Sequence, residues 1–320
     1  MSAPGRAVLA LSGGVGGAKL ALGLAQECAA GQLHVVANTG DDFRHLGLYI
    51  SPDIDTLLYT LSGRANQSLG WGLAAETWHT MEALQELGGD TWFRLGDRDL
   101  ATHLWRSQQL AMGRELGEVT ADLARRLGVQ TRVFPMSDDP IATTVHTPEG
   151  LLPFQHYFVR YQCQPVVTGF SFAGIESARP NAELMAVLGG GAYAAIVVCP
   201  SNPFVSVDPI LQVPGLWQAL RDQPAPVILV SPIVAGRALK GPAAKMMTEL
   251  GHGASALEVA RFYHQRYPGL VDYFVIDSSD ATLAPAIGEL DMDVAITCTV
   301  MHSAADKRAL ARFCLALGEG

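Results

Sequence analysis

Cysteine is scarce in this sequence, and its few copies stand far apart. Five occur in 320 residues, at Cys28, Cys163, Cys199, Cys298 and Cys314. None belongs to a Cys-x-x-Cys pair or to a close group with histidine, which are the spacings typical of zinc and thiol redox sites. The cysteines therefore support neither a zinc site nor a disulfide framework.

Long apolar runs are also missing. No run reaches the roughly 20 residues that a membrane-spanning helix needs. The first residues lack the basic and apolar regions of a signal peptide. We therefore expect a cytoplasmic protein that has no membrane partner.

Positive charge is in deficit. The chain has 22 lysines and arginines against 31 aspartates and glutamates, a formal net charge of -9. A general nucleic-acid binder needs a basic surface to meet phosphates, so no nucleic-acid partner is expected. An acidic balance is compatible with metal-assisted chemistry on phosphates, because carboxylates hold the cation.

The apolar pattern predicts an α/β fold with a doubly wound, mostly parallel sheet. Strand-like runs separated by helical patterns are typical of that class; they lie at 7–11, 33–37, 194–199, 227–230, 273–276 and 294–299. Between them come three helical patterns, a strand-like stretch at 131–134 and a hairpin around 147–150. With no repeats or linkers, we predict one globular unit over 1–320. Its core covers about 1–60 and 181–320, and an inserted helical and β-hairpin subdomain covers about 61–180.

A glycine-dense bend follows the first predicted strand. Glycines occupy four of the five positions 13–17, Lys19 comes next, and a helical pattern starts at Leu20. Glycines let backbone N–H groups approach a ligand, and a helix start favours negative charge. The stretch therefore predicts a phosphate site, the alternative being a tight strand-to-helix turn that binds nothing. It matches neither a P-loop nor a full Gly-x-Gly-x-x-Gly, and Asn38 stands where a ribose-binding acid belongs.

Four carboxylates follow the second predicted strand: Asp41, Asp42, Asp53 and Asp55. In an extended approach the side chains of Asp53 and Asp55 would share one face. Clustered carboxylates hold Mg²⁺ against a pyrophosphate or bind the hydroxyl groups of a substrate. The alternative is that they cap helices and line a solvated loop.

Further polar residues lie where other predicted strands end. Ser201 and Asn202 suit a base or ribose edge, although ordinary turn chemistry also explains them. After the strand that ends at Ser231, Pro242 opens a helix between Lys240 and Lys245, so these lysines meet a second phosphate or are solvated. Two other sets have two readings each. The turn with Arg94 and Arg98 binds a polar heterocycle or forms local ion pairs, and Trp71 and Trp78 face a flat ring or the core.

Seven motifs, read in order, resemble the 2-phospho-L-lactate transferase family of deazaflavin coenzyme biosynthesis. The motifs are SGGVGGAK (12–19), NTGDD (38–42), SPDIDT (51–56), LGDRDLATH (95–103), MSDDP (136–140), SNP (201–203) and KGPAAKMM (240–247), and the resemblance as a whole runs from about Leu9 to Met301. The resemblance implies a Rossmann-like fold, Mg²⁺, a homodimer and two substrates. The donor is a guanosine diphospho compound of 2-phospho-L-lactate or enolpyruvyl phosphate, and the acceptor is the deazaflavin alcohol Fo. The terminal ribityl hydroxyl of Fo would attack the donor's β-phosphorus, and GMP would leave.

The resemblance also implies roles for individual residues. For Fo it implies Asp55, Arg94 and Arg98, and for the metal Asp42 and Asp53. Asp55 or Asp53 would assist deprotonation. The donor would be held by Gly13, Gly14, Val15, Gly16, Gly17, Lys19, Ser201, Asn202, Ser231, Lys240 and Lys245.

Two other functions stay open at this point. A related family shares the glycine loop, binds a nucleotide-sugar or a dinucleotide, and is regulatory. An NAD-dependent oxidoreductase is disfavoured, because the full glycine fingerprint and its ribose-binding acid are missing.

Overall fold

The computed structural model describes residues 6–67, 69–191, 193–238 and 241–319. Lys240, one of the predicted donor residues, lies outside these ranges. Within them the strands are β1 (Val8–Ser12), β2 (Leu33–Ala37), β3 (Phe43–His45), β4 (Leu48–Ile50), β5 (Arg132–Pro135), β6 (Ala142–Thr147), β7 (Gly150–Pro153), β8 (Gly169–Ala173), β9 (Ala195–Val198), β10 (Val227–Val230), β11 (Ile233–Val234), β12 (Arg237–Ala238), β13 (Tyr273–Asp277) and β14 (Asp293–Thr297).

The α-helices lie between and after these strands. In the same described ranges they are α1 (Gly14–Glu27), α2 (Pro52–Leu61), α3 (His79–Glu86), α4 (Asp97–Ala111), α5 (Leu116–Arg126), α6 (Ala182–Gly190), α7 (Asp208–Gln212), α8 (Leu216–Arg221), α9 (Ala243–Glu249), α10 (Ala256–Arg266), α11 (Ala284–Gly288) and α12 (Ala304–Gly318). None of the helices in the described part of the chain is both long and apolar enough to cross a membrane.

Seven parallel strands form the central sheet, in the order β14-β13-β10-β9-β1-β2-β5. The chain builds outward from β1 to β2 and β5, then returns to β9 on the other side of β1 and continues to β14. This is the doubly wound, Rossmann-like α/β arrangement that the sequence predicts. The direction of winding reverses between β1 and β9, and in open parallel sheets ligands bind outside the carboxyl ends of the strands at that point.

Both faces of the sheet are covered, because its strands are apolar on both sides. Along β1, Val8 and Ala10 face a core formed with α1, α2, α5 and α12, whereas Leu9 and Leu11 face a second core formed with α6–α10. This alternation is the two-residue period of a strand applied to a sheet buried on both faces.

The predicted insertion at 61–180 is not continuous. The strand predicted at 131–134 is β5, which pairs in parallel with β2 at the edge of the central sheet. The chain therefore leaves the sheet twice, first for α3 and α4 and then for an antiparallel sheet in the order β7-β6-β8. The predicted hairpin is confirmed as β6 and β7. The sequence analysis missed β8, which pairs with the far side of β6.

The contact between α1 and α12 gives a first prediction. A Cβ built on Gly23 would lie 2.2 Å from the Lys307 carbonyl oxygen, so α1 approaches the other helix by its backbone. We expect Gly23→Ala to lower the free energy of unfolding by about 1–3 kcal/mol. The matched control is Gly189→Ala on α6, where a Cβ meets nothing within 4 Å.

Gly189→Ala should raise the free energy of unfolding by up to about 1 kcal/mol, because alanine has the higher helix propensity. Urea unfolding of both variants measures the difference. Equal effects at the two positions would contradict the close approach of α1 to α12.

Candidate functional site

The glycine stretch forms the first turn of α1. The helix begins at Gly14 rather than at the predicted Leu20. The Gly13 N–H donates to Ser201 Oγ at 3.2 Å, and the Gly14 N–H donates to Asp53 Oδ1 at 2.7 Å. The helix start therefore meets the loop after β9 and the first turn of α2, at the reversal of the sheet.

The glycines are required there by space and by backbone conformation. A Cβ on Gly16 would lie 2.4 Å from the Pro200 carbonyl oxygen, and one on Gly17 would lie 2.4 Å from Ser12 Oγ. Gly14 has a φ of +63° and open space where its side chain would be, a conformation that L-residues rarely adopt. Part of the glycine pattern thus serves close packing, and Gly14 leaves one side of the helix start open.

Asp53 is the carboxylate that faces the glycine stretch. Its Oδ2 accepts from Asn38 Nδ2 at 2.9 Å, and Asn38 Oδ1 accepts from the Gly40 N–H at 2.8 Å. Burial raises the pKa of Asp53 to about 6, although the hydrogen bonds from Asn38 and Gly14 act in the opposite direction. Asn38, which stands in place of a ribose-binding acid, joins Asp53 to the loop after β2.

Asp41 is buried near Asp53, and Asp42 is buried near Asp55. Burial raises the pKa of Asp41 well above its usual range, and the charge of Asp53 raises it further. Burial also raises the pKa of Asp42, whose Oδ2 accepts from Ser51 Oγ at 2.8 Å. The Oδ1 atoms of Asp41 and Asp42 are buried without a hydrogen-bond partner. Such oxygens are costly to bury, so these two acceptors suit a ligand.

A cavity of about 380 Å³ opens at Asp41 and Asp42. Its aromatic walls are formed by Phe43, His45, Trp92, Phe154 and His156. Trp92 meets His156 edge to face with ring centres 4.7 Å apart, and Thr143 also lines the cavity. His45 Nε2 and Thr143 Oγ1 are buried without partners, so polar atoms and flat rings converge on one space.

Asp55 points away from the glycine stretch. The predicted shared face of Asp53 and Asp55 is wrong, because α2 begins at Pro52 and residues two apart on a helix are rotated by about 200°. Both Asp55 oxygens are bound by the guanidinium of Arg106 on α4, with Oδ2 at 3.0 Å from Nη1. Asp53 and Asp55 therefore belong to different environments.

Five more of the predicted donor residues, all in the described ranges, have partners within the protein. Ser201 lies at the helix start, as described above. Asn202 Oδ1 accepts from the Phe204 N–H at 3.0 Å, and Ser231 Oγ donates to the Ile233 carbonyl at 2.9 Å. The two lysines reach other groups: Lys19 Nζ donates to the Met301 carbonyl at 3.1 Å, and Lys245 Nζ contacts Glu249 at 2.6 Å and the Pro165 carbonyl at 2.9 Å.

Arg94 and Arg98 lie on the exposed side of the α3–α4 region. The Arg94 guanidinium stacks 4.5 Å from the centre of the Trp78 ring, which meets Trp71 edge to face at 6.0 Å. Arg98 Nη1 donates to the Ala74 carbonyl at 2.9 Å. These contacts form a local surface cluster of cationic and aromatic side chains.

A larger groove, about 1070 Å³, runs along β8 and α10. None of the residues predicted from the sequence lines it, and Arg266 at its wall is bound to Asp208 at 2.6 Å. The smaller cavity at Asp41 and Asp42 has the unpartnered polar atoms. We therefore assign the candidate site to that cavity and the adjoining start of α1.

Arg106 and Asp41 are the site residues that sequence reasoning underrated. Arg106 was not singled out at all, although Asp99, His103 and Arg106 have the spacing of one helix face. Asp41 was grouped with the other carboxylates but not chosen as a metal ligand. That Asp41 Oδ1 is buried without a hydrogen-bond partner becomes visible only when the fold is known.

Comparisons with known proteins identify the family of the chain. The family model described as 2-phospho-L-lactate transferase CofD matches residues 8–303. The phosphoenolpyruvate transferase of Kitasatospora aureofaciens is 37% identical over 319 residues, with 98% of each chain covered. The 2-phospho-L-lactate transferase of Methanosarcina acetivorans is 35% identical over 310 residues, covering 97% of this chain and 98% of the relative.

Solved structures agree on the fold. A UPF0052-family protein from Bacillus halodurans superposes with a TM-score of 0.63 at 14% identity, over 97% of this chain and 99% of that one. At that identity the likeness concerns the architecture alone. The match to the family model and the identity to curated relatives extend over nearly the whole chain. The chain belongs to the CofD family of 2-phospho-L-lactate transferases.

Proposed function

We propose that the chain transfers a 2-phospho-L-lactate or an enolpyruvyl phosphate group from a guanosine diphospho donor to the ribityl hydroxyl of the deazaflavin Fo. One observation carries the proposal. The glycine-rich start of α1 binds Asp53, the charge of Asp53 acts on the buried Asp41, and Asp41 with Asp42 lines the aromatic cavity. Phosphoryl-type transfer depends mainly on positioning two substrates and on balancing phosphate charge, and this arrangement serves both needs.

The donor's phosphates would bind at the start of α1. The first N–H groups of a helix have no intrahelical acceptors and carry the positive end of the helix dipole. The hydrogen bond from Gly13 to Ser201 places the loop after β9 beside these N–H groups. The guanosine would bind against this loop, near Ser201 and Asn202. Donor roles for Lys19, Ser231, Lys240 and Lys245 stay predictions.

Fo would enter the cavity with its flat ring between the aromatic walls. Aromatic side chains favour such rings by stacking and by edge-to-face contact. The hydroxyl groups of its ribityl chain are donors, and the unpartnered Oδ1 atoms of Asp41 and Asp42 are acceptors. Fo contacts of Arg94 and Arg98, a homodimer and a cytoplasmic location also stay predictions.

The transfer forms a bond between the hydroxyl oxygen of Fo and the donor's β-phosphorus. The bond between that phosphorus and the bridging oxygen breaks, and GMP leaves with the electron pair. The hydroxyl proton passes to a carboxylate. We favour Asp53 over Asp55 for this step, because burial raises the pKa of Asp53 to about 6 and its hydrogen-bond donors are neutral, whereas Asp55 is paired with the positive charge of Arg106. A base with a pKa near the working pH is the more effective one.

Mg²⁺ fits the carboxylates of the site. Among the described residues, no three Asp, Glu, His or Cys side chains form a ready-made metal site. Mg²⁺, however, commonly takes one or two carboxylates and completes its shell with water and substrate phosphates. The sequence points to Asp42 and Asp53. Asp41, whose pKa the charge of Asp53 raises and whose Oδ1 has no hydrogen-bond partner, is an alternative to Asp42 as the second of these carboxylates. The bound ion would offset the charge of the phosphates and of these carboxylates.

The function is tested by incubating the protein with Fo, Mg²⁺ and each donor in turn. The expected result is a phosphodiester of Fo, detected by its mass. The two donors differ by two hydrogens, so the product mass also identifies the group transferred. Nucleotide binding without product from either donor would contradict the transferase proposal and favour the regulatory alternative.

Asp53→Asn tests the proposed proton acceptor. We expect kcat to fall by about 100-fold or more, the usual contribution of a positioned base. The amide oxygen can accept from only one of the Gly14 and Asn38 donors, so kcat is compared at a temperature at which the variant is folded. Asp122→Asn is the control, since Asp122 pairs with Arg114 and Arg125 on a different part of the surface. A kcat within about threefold of the wild type in Asp53→Asn would exclude this role.

The buried charge of Asp41 gives a prediction on stability. Its pKa is higher in the folded chain than in the unfolded one, so ionisation costs stability as the pH rises above about 4. Asp41→Asn should therefore raise the melting temperature without Mg²⁺ by about 2 °C or more at pH 8, and by less at pH 5. At pH 8, adding Mg²⁺ should raise the melting temperature of the wild type more than that of the variant. A lower melting temperature for Asp41→Asn at pH 8 would contradict the assignment.

A further inference from the structure

Asp53 lies at a point of the fold that suits an anion. Its Oδ1 accepts from the Gly14 N–H at 2.7 Å, across 39 residues of sequence, and its Oδ2 accepts from the side-chain amide of Asn38 at 2.9 Å. Asp53 also belongs to the first turn of α2. The carboxylate therefore lies between the starts of two helices, and each start carries the positive end of a helix dipole.

The glycine stretch is shaped around this carboxylate. A Cβ on Gly13 would lie 3.0 Å from Asp53 Oδ2 and 2.5 Å from Ser206 Cβ, so a side chain at position 13 would displace Ser206 or the carboxylate. Gly14 has open space where its own side chain would be, whereas Asp53 is only 5% exposed. The glycines thus let a buried carboxylate reach the start of α1 and leave another side of that start open.

Capping alone does not explain a charged group at this point. Helix starts are usually capped by the N-cap side chain, and the neutral serine and asparagine serve there as well as aspartate does. The N-cap of α1 is Gly13, which makes no side-chain cap, and the charge comes from α2 instead. Burial opposes that charge, since it raises the pKa of Asp53 to about 6. A neutral cap would hold the same N–H group without this cost.

A phosphate at the start of α1 would meet this carboxylate. The N–H groups that follow Gly14 lack intrahelical acceptors, as they do at every helix start, and such groups hold phosphates. A phosphate bound to them would lie beside Asp53, and one bound to the Gly14 N–H would replace it. Both arrangements place two anions side by side in a poorly solvated site, which lowers affinity.

Asp41 provides a second, independent observation, and it points to a cation. Its Oδ1 is buried without a hydrogen-bond partner, and the residue is 7% exposed. The charge of Asp53 acts on Asp41, so the two carboxyl groups lie near one another. A carboxylate oxygen that receives no hydrogen bond suits a hard cation. A cation held there would attract both Asp53 and a phosphate and so offset their repulsion.

We propose that Asp53 takes the place of a phosphate at the start of α1, so that this site binds a nucleoside diphosphate as its complex with a divalent cation and binds the free anion weakly. The inference rests on the proposed function, because it takes the donor phosphates to bind at α1. In the complex, the Asp53 carboxylate leaves the Gly14 N–H for the cation, and a phosphate oxygen replaces it. Loss of that hydrogen bond also frees an oxygen of Asp53 for the proton of the acceptor hydroxyl.

The test measures nucleotide binding without turnover. GDP is titrated into the protein at pH 8, with EDTA or with excess Mg²⁺, and its affinity is measured by calorimetry. For the wild type we expect Mg²⁺ to tighten GDP binding by about tenfold or more. Guanosine, which has no phosphate, should bind equally with and without Mg²⁺.

Asp53→Asn removes the charge and keeps an acceptor for the Gly14 N–H. Without Mg²⁺ it should bind GDP about tenfold more tightly than the wild type does, and Mg²⁺ should then add less than about threefold. Asp53→Ser repeats the test if the asparagine variant does not fold, because a serine hydroxyl also accepts from helix N–H groups. Melting curves show that the variants are folded at the temperature of the titration.

Two further variants separate the contact from the summed charge. Asp41→Asn removes a carboxyl group near Asp53 that is not the one bound to Gly14, so it should change the affinity for GDP without Mg²⁺ by less than about threefold. Asp122→Asn, on a different part of the surface, should leave that affinity unchanged.

The outcomes distinguish this role of Asp53 from the proposed function. Equal GDP binding by the wild type with and without Mg²⁺ overturns the role even if the chain makes product. So does a failure of Asp53→Asn and Asp53→Ser to bind GDP without Mg²⁺ more tightly, or an equal gain in Asp41→Asn. If the expected affinities are found but neither donor gives product, the transferase proposal fails and the role of Asp53 stands. A wild type that binds no GDP even with Mg²⁺ contradicts both.

Discussion

The hydrogen bond from the Gly14 N–H to Asp53 is the contact on which the site depends. It joins the first turn of α1 to the first turn of α2, and Asn38 extends it to the loop after β2. The contact forms only because the glycines let α1 start against the loop after β9, where a Cβ on Gly16 would meet the Pro200 carbonyl. The reversal of the sheet between β1 and β9 thus brings backbone donors and a carboxylate to one point.

Asp53 also sets the electrostatic balance around it. A carboxylate at a helix start is favourable, yet Asp41 and Asp42 are buried nearby with unpartnered oxygens. Buried polar atoms in folded proteins are almost always paired, so the exceptions mark a place where the protein sacrifices stability. A bound cation and the hydroxyl groups of the substrate would be the missing partners of these oxygen atoms. The apolar cores on both sides of the sheet therefore keep these polar atoms in place before a ligand binds.

The sequence predicted most of the sheet and less of the site. An apolar run such as Val227–Val230 can be recognised as a buried strand without knowing which strands pair with it. The capping box of Ser303 at the start of α12 can likewise be recognised from the local sequence. The strand at 131–134 was predicted to belong to the inserted subdomain, whereas β5 pairs with β2 in the central sheet. This pairing is a long-range contact, which a local sequence pattern does not reveal. Arg106 was missed for a similar reason: its partner Asp55 lies 51 residues away on another helix. Lys245 has the right residue type for a phosphate site, but its contacts are with Glu249 and Pro165.

Helix geometry places the two aspartates of the SPDIDT motif in different surroundings. Had the segment been extended, Asp53 and Asp55 would have faced one substrate together. Because α2 begins at Pro52, one faces the glycine stretch and the other faces α4, on nearly opposite sides of a single turn. Asp53 is then held at the donor side by the Gly14 and Asn38 donors, while Arg106 fixes Asp55 against α4. An in-line transfer needs that kind of rigidity, because small errors in placement cost large factors in rate.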